Sequence, residues 1–347
     1  MSTSLRATRL ARRSAAPLAA SLLAAACAGA PAGPEVVIYA SIDQNVAQPV
    51  LERFEETSGV RVRAVYDVEA AKTTGLVNRL LAEAERPRAD VWWSGEFAQT
   101  IELAGRGVLE PYDSPSAADL APNLRAADHT WTAFGGRGRV FLVNTDRLPP
   151  ERYPRSIHDL LDPGVEPATV AIAYPMFGTT ATHAAALYAA LGHEAARAFF
   201  QALAERGVRV VDGNAVVRDL VVDGQLAFGL TDTDDACAAV ERGAPVTIVF
   251  PDQEPGGLGA LVVPNTVAVV AGGPNPEQAR RLADYLLAPQ TTAELVEVGW
   301  FHVAARDVEA RSACVDARGV TTMALDLEAV AAGIEPVKVE MARVFVR

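Results

Sequence analysis

Apolar and polar positions along this chain follow two rhythms that succeed one another in a regular order. Val36, Val37, Ile38, Tyr39 and Ala40 form a short unbroken apolar run, the signature of a strand buried on both faces. From Gln44 to Thr57 the apolar residues Val46, Val50, Leu51 and Phe54 recur at helical spacing, and Gly59 supplies the stop. Residues 60–66 predict a second strand and residues 70–85 a second helix, with Leu76, Leu80 and Leu81 on one face. Residues 90–93 predict a third strand and residues 97–105 a third helix. Three β-α pairs in about seventy residues predict a parallel sheet with helices on both faces.

After a strand over residues 141–144 the pattern restarts. Strands are predicted at 169–173, 208–211, 227–230 and 246–250, and helices at 180–191, 194–206, 216–222 and 235–242. Residues 258–263 and 266–271 read as two strands returning to the first half, and 276–287 and 291–298 as helices. Residues 320–347 are apolar-periodic and predict a closing helical segment. The fold class is therefore α/β, with two lobes that are each a mainly parallel sheet flanked by helices. The first lobe is residues 35–134 plus 264–347, with the last helices able to pack on either lobe, and the second is residues 135–263.

The amino terminus follows a different rule. Arg6, Arg9, Arg12 and Arg13 precede an Ala-rich apolar run from Ala15 to Ala26, too short for a bilayer span and typical of an export signal over residues 1–26. Small residues leading to Cys27 suggest lipoprotein processing with Cys27 acylated, and the Pro/Gly-rich residues 28–34 read as a tether. A periplasmic location follows, with membrane attachment only through that lipid. Export into an oxidising compartment leaves Cys237 and Cys314 as a candidate disulfide, with two buried thiols as the alternative.

Composition narrows the partners. The 347 residues carry 43 acidic against 31 basic side chains, a net charge of −12. A nucleic-acid surface needs clustered Lys and Arg, so none is expected. A monomer binding a small ligand is expected instead.

Several segments, taken in order, resemble the iron(III)-transport group of periplasmic solute-binding proteins, the ferric-binding-protein-like family of type II fold. Val37 to Ser41 resembles its opening strand. Residues 54–62, from Phe54 through Thr57 and Gly59 to Val62, resemble its F-x-x-x-[TS]-G-[IV]-x-V segment. Leu80 to Glu83, followed by Pro87, Ala89, Asp90, Val91, Trp92 and Trp93, resembles its L-x-A-E…P-x-A-D-V run. Residues 107–112 and 143–146 fit its next two landmarks, and the likeness spans roughly residues 35–300. The resemblance implies two hinged lobes closing on a ligand that is handed to an ABC permease, with no catalysis and no resident cofactor.

Open α/β sheets bind ligands beyond the carboxyl ends of their strands. Four loops qualify: Ser41 to Gln44, Ser94 to Glu96, Phe177 to Thr180, and Thr231 to Asp235. Gly178, Thr179 and Thr180 open a helix and offer backbone N–H groups and hydroxyls to an anion, with Arg137 and Arg139 as possible helpers; an ordinary helix cap is the plainer reading. The resemblance places a carbonate or phosphate there, beside the metal. It also places an adjacent Tyr pair, the family's ferric ligands, where this chain has Thr233 and Asp234. Ferric iron or a related metal would then rest on Asp43, Glu96 and Asp234. The alternative ligand is a phosphorylated or other anionic organic solute, with its acid group on Thr179 and Thr180 and its polar end on Asp234 and Glu96. An alternative of another class is a Mg²⁺-dependent phosphatase using the Asp232-x-Asp234 pair after an apolar strand.

Overall fold

The computed structural model describes residues 33–67 and 75–345. The signal segment, Cys27 and most of the tether lie outside the described residues, as does the first part of the helix expected from residue 70.

The first half runs β1 (Glu35–Ser41), α1 (Gln44–Ser58), β2 (Arg61–Tyr66), α2 (Gly75–Ala82), β3 (Val91–Ser94), α3 (Phe97–Gly105) and a short β4 (Leu109–Glu110). β1 pairs in parallel with β2 on one side and β3 on the other. Successive residues of a strand point to opposite faces, and both faces are covered here. Tyr39 and Trp92 enter one apolar cluster, while Ile38, Ala40, Val91 and Trp93 enter another. That double burial is why β1 reads as an unbroken apolar run, and it makes both tryptophans core residues.

β5 (Thr132–Asn144) follows, then β6 (Val170–Ala173), α4 (Gly178–Leu191), α5 (His193–Arg206), β7 (Arg209–Val211), α6 (Asn214–Val222), β8 (Phe228–Asp232), α7 (Thr233–Glu241) and β9 (Val246–Val249). β6 is parallel to both β7 and β8. The chain returns through β10 (Val262–Val270), α8 (Pro276–Leu286), α9 (Pro289–Glu297), a short β11 (Val303–Ala304) and α10 (Leu327–Val344). α10 packs on α4, with further contacts to α3 and α5.

The strand order is β2-β1-β3-β10-β5-β8-β6-β7. β5 joins the two halves: its first part pairs antiparallel with β10, and Arg139 to Asn144 pairs with β8 and β9. β5 and β10 thus run between two lobes, each with parallel strands of its own. Pattern reading recovers only the last four residues of β5, because Gly135, Gly136 and Gly138 weaken the strand signal. Packing explains the glycines. A Cβ on Gly136 would lie 2.1 Å from the Val263 carbonyl oxygen, and one on Gly135, whose φ is +127°, would lie 2.7 Å from the Phe301 ring. Likewise, the two return strands expected at 258–263 and 266–271 are one strand, β10, with an irregularity in register between Pro264 and Thr266. Gly136→Ala is expected to cost about 3 kcal/mol or more, since the clashing atom is backbone and cannot swing aside. A urea melt checks this, and a loss below about 1 kcal/mol would mean that β5 and β10 are not this close.

Among the described residues, no helix is long and apolar enough to cross a membrane. Cys237 and Cys314 are joined as a disulfide, as the sequence suggested.

Candidate functional site

The site grows from strand ends. β3 stops at Ser94, whose Oγ accepts a hydrogen bond from the Glu96 N–H at 3.1 Å. The turn is held further by the Gly95 N–H donating to the Ser41 carbonyl at 3.1 Å. It delivers Glu96, buried, to the start of α3. β8 passes into α7 with no intervening loop, so Asp232 is both the last strand residue and the N-cap, and Asp234 and Asp235 fall in the first helical turn. Arg137 and Arg139, two apart on β5, share a face, and Arg139 is in register with Asp232.

Arg139 is 0% exposed. Its Nη1 donates to Asp232 Oδ1 at 2.6 Å and to Asn214 Oδ1 at 2.9 Å. Its Nε donates to His183 Nδ1 at 3.4 Å. Asp232 Oδ2 accepts from the Thr179 hydroxyl at 2.5 Å and from Asn214 Nδ2 at 3.0 Å. A buried carboxylate is tolerable only when paired and hydrogen-bonded, and Asp232 meets both conditions. Burial, reinforced by the Arg139 charge, pushes His183 well below its usual pKa, so the ring is neutral and its Nδ1 can accept.

Arg137 bridges the halves. Its Nη2 donates to Glu96 Oε1 at 3.3 Å, and its Nε lies 3.7 Å from Asp232 Oδ2. Burial pushes Glu96 up to about 7; Arg137 opposes the rise and Asp232 adds to it. The Asp234 side chain reaches solvent, yet the protein packed around it and the charge of Asp232 raise its pKa. Asp235 is pushed up to about 6 by burial and by Asp234, against the pull of Arg218, whose Nη1 donates to Asp235 Oδ1 at 2.9 Å. Two guanidinium nitrogens in this group, Arg137 Nε and Arg139 Nη2, are buried without a hydrogen-bond partner.

The residues singled out from sequence fall unevenly. Glu96 and Asp234 join this electrostatic cluster. Thr179 is beside it, with its hydroxyl given to Asp232. The Thr180 hydroxyl donates to Asn214 Oδ1 at 3.3 Å. Gly178 opens α4. The Thr233 hydroxyl accepts from the Gly138 N–H at 3.0 Å. Asp43 stands at the carboxyl end of β1, where its carbonyl accepts from the Val46 and Ala47 N–H groups at the start of α1. The Tyr39 hydroxyl donates to Glu83 at 2.8 Å, and burial, first, then that bond push its pKa up to about 12. Sequence reading missed Asn214 and His183. Arg139 gave a signal that could have led to them, because an arginine inside an apolar strand needs buried acceptors.

Fold and site together define a two-lobe solute-binding protein, with charged groups gathered where the strands of both halves end. The family described as bacterial extracellular solute-binding protein matches residues 98–313, more than half of the chain, and the chain belongs to it. The major ferric iron-binding protein of Neisseria meningitidis serogroup B is 25% identical over 285 residues, covering 80% of this chain and 83% of that one. A candidate 2-aminoethylphosphonate-binding periplasmic protein of Salmonella typhimurium is 24% identical over 262 residues, 74% of each chain. Among solved structures, the Trichodesmium protein IdiA (FutA) in complex with iron and citrate superimposes with a TM-score of 0.80 at 19% identity, covering 90% of this chain and 100% of that one. Mannheimia haemolytica ferric iron-binding protein A, in an open conformation, gives 0.78 at 20% identity, covering 90% and 98%.

Proposed function

We propose that this protein is the extracytoplasmic binding component of an ABC importer and that its cargo is ferric iron, taken with an accompanying anion into the cleft between the lobes. Residues 35–134 with 264–347 form one lobe in this reading and residues 135–263 the other, with α10 packed on α4 and α5 of the second. One observation carries the choice of cargo: Glu96 and Asp234, from strand ends of different halves, gather beside Asp232, with Glu96 pushed up to about 7 and Asp234 raised from its ordinary value. Carboxylates crowded in this way favour a proton or a cation, and a hard trivalent ion prefers anionic oxygens over any other donor. Relatives named for ferric iron support the same choice. Thr233 and Asp234 stand where the family has tyrosines, so the iron ligands here are carboxylates rather than phenolates, with Asp43 a further candidate from β1. The backbone N–H groups of Gly178, Thr179 and Thr180 at the start of α4, rather than the two hydroxyls already given to Asp232 and Asn214, would hold the anion with Arg137.

A second reading has its own observation. The guanidinium of Arg137, whose Nε is without a hydrogen-bond partner, suits an organic phosphonate or phosphate, whose amine would rest on Glu96 and Asp234. A phosphatase reading would make Asp232 the nucleophile. Both its oxygens are already taken by Arg139, Thr179 and Asn214, and no covalent step is proposed. Residues 1–26 direct export in this proposal and Cys27 carries the lipid, leaving a monomer tethered at the membrane beside its permease.

Calorimetry on the purified protein decides the cargo. Titration with ferric citrate is expected to give one site per chain, and 2-aminoethylphosphonate no heat. Heat from the phosphonate alone would replace the iron reading with the second, and silence from both would overturn both.

A further inference from the structure

The disulfide lies in a setting that cargo capture does not use. Cys237 sits on α7, the helix that also carries Asp234 and Asp235, and Cys314 sits in the irregular segment between β11 and α10. Their Cα atoms are 5.3 Å apart. His302, buried just before β11, brings a third donor: a ring nitrogen and the two sulfur atoms all lie within 4.8 Å of one another. His302 Nδ1 is sealed from solvent and makes no hydrogen bond. Leaving a buried polar atom unpaired costs free energy, which a ligated cation would offset. His302 and Ser312 also line a cavity under the 302–327 segment, and Ser312 Oγ lies 3.1 Å from Cys314 Sγ.

We propose that reduction of the Cys237–Cys314 disulfide converts this corner into a three-ligand site for a borderline or soft cation, Zn²⁺ or Cu⁺, formed by the two thiolates and the His302 imidazole. Cys237 is buried, whereas Cys314 is partly exposed. A dithiol reductant therefore attacks Cys314 Sγ, forming a mixed disulfide and releasing Cys237 as thiolate. Its second thiol then displaces Cys314, and the reductant leaves as its own disulfide. Two electrons and two protons pass to the protein. An incoming Zn²⁺ displaces the two thiol protons as it binds. Bond lengths of about 2.3 Å to sulfur and about 2.0 Å to nitrogen place tetrahedral ligand atoms roughly 3.5–3.8 Å apart. The sulfur atoms need separate by only about 2 Å from their bonded distance to reach that spacing. Three protein ligands leave one position for water.

The test uses the mature protein reduced by a water-soluble phosphine without oxygen, its fold checked by circular dichroism, and then titrated with Co²⁺ and Zn²⁺. One Co²⁺ per chain is expected, with a thiolate-to-cobalt charge-transfer band that Zn²⁺ bleaches. The disulfide form is expected to show no such band. His302→Ala is expected to weaken Co²⁺ at least tenfold in a protein whose disulfide form still shows the parent's circular dichroism, and Cys237→Ser with Cys314→Ser to abolish the band. A folded, reduced protein with no charge-transfer band overturns the proposal. So does a His302→Ala variant that titrates like the parent, or a reduced chain that loses its fold and does not regain it with Zn²⁺. A cobalt spectrum without the sulfur band reports carboxylate ligands in the cleft and counts against it as well.

Discussion

Replacing Arg139 by Met is expected to lower the unfolding free energy by about 3–5 kcal/mol in a urea titration, one of the largest effects open to a single side chain here. Arg139 is fully buried and its Nη1 lies 2.6 Å from Asp232 Oδ1. Methionine keeps much of the volume but strands the Asp232 charge in a place where water cannot replace the guanidinium. Asp232→Asn strands the opposite charge and is expected to be comparably destabilised. The double variant removes both charges, so it is expected to lie closer to the parent than the two single losses summed. A single Arg139→Met loss within about 1 kcal/mol of the parent would show that Arg137 alone neutralises Asp232, and the network drawn here would be wrong.

Glu96→Gln is expected to move stability and binding in opposite directions. Glu96 has an ordinary value of 4.5 and is pushed up to about 7 in the fold, chiefly by burial. The folded chain therefore holds a proton through that interval while the unfolded chain has lost it. By linkage, this group's contribution to stability is full below about 4.5 and is lost as pH rises through about 7. Above that, its ionised form costs the empty protein up to about 3 kcal/mol, which glutamine removes. At pH 8 the unliganded variant is thus expected to unfold at higher temperature than the parent. A cation, by contrast, needs the carboxylate. Ferric affinity of the parent is expected to weaken as pH falls below about 7, and both Glu96→Gln and Asp234→Asn to weaken it more than tenfold at neutral pH. Thermal unfolding across pH and calorimetry with ferric citrate check the two arms. A variant that binds iron like the parent would remove Glu96 from the cargo site, and one no more stable at pH 8 would remove the buried-charge argument.

The two variants fail for different reasons, and the difference separates two kinds of carboxylate. Asp232 is closed by internal partners, so its loss is felt in folding. Among the described residues Glu96 has Arg137 as its one hydrogen-bonded side chain, and Asp234 opens to solvent. In the proposed reading those two are the groups a cargo takes. In a binding protein the ligand must favour the closed state over the open one, and groups committed to internal bonds cannot supply that difference.

Local pattern was enough for most of the framework. Buried parallel strands must be apolar on both faces, and helices must carry one apolar stripe, so β1, β3, α1 and α8 announce themselves within a few residues. Because α/β loops alternate with them, the chain also disclosed which loops sit at strand ends, and hence that Glu96, Thr179 and Asp234 lie beyond the ends of β3, β6 and β8. What it withheld depends on atoms far apart in sequence. β5 hides behind its glycines because their reason is the Val263 backbone and the Phe301 ring, more than a hundred residues away. The Thr179 hydroxyl looked free for an anion until Asp232, brought over by β8 pairing with β6, took it. Asn214 and His183 carry no sequence signal of their own; only the buried guanidinium of Arg139 calls for them. Composition and periodicity determined the layers and their edges, since these follow from neighbours along the chain. Which charge is spent inside the fold and which is left for a cargo was decided by tertiary packing, because a buried charge is worth only what its partners across space make of it.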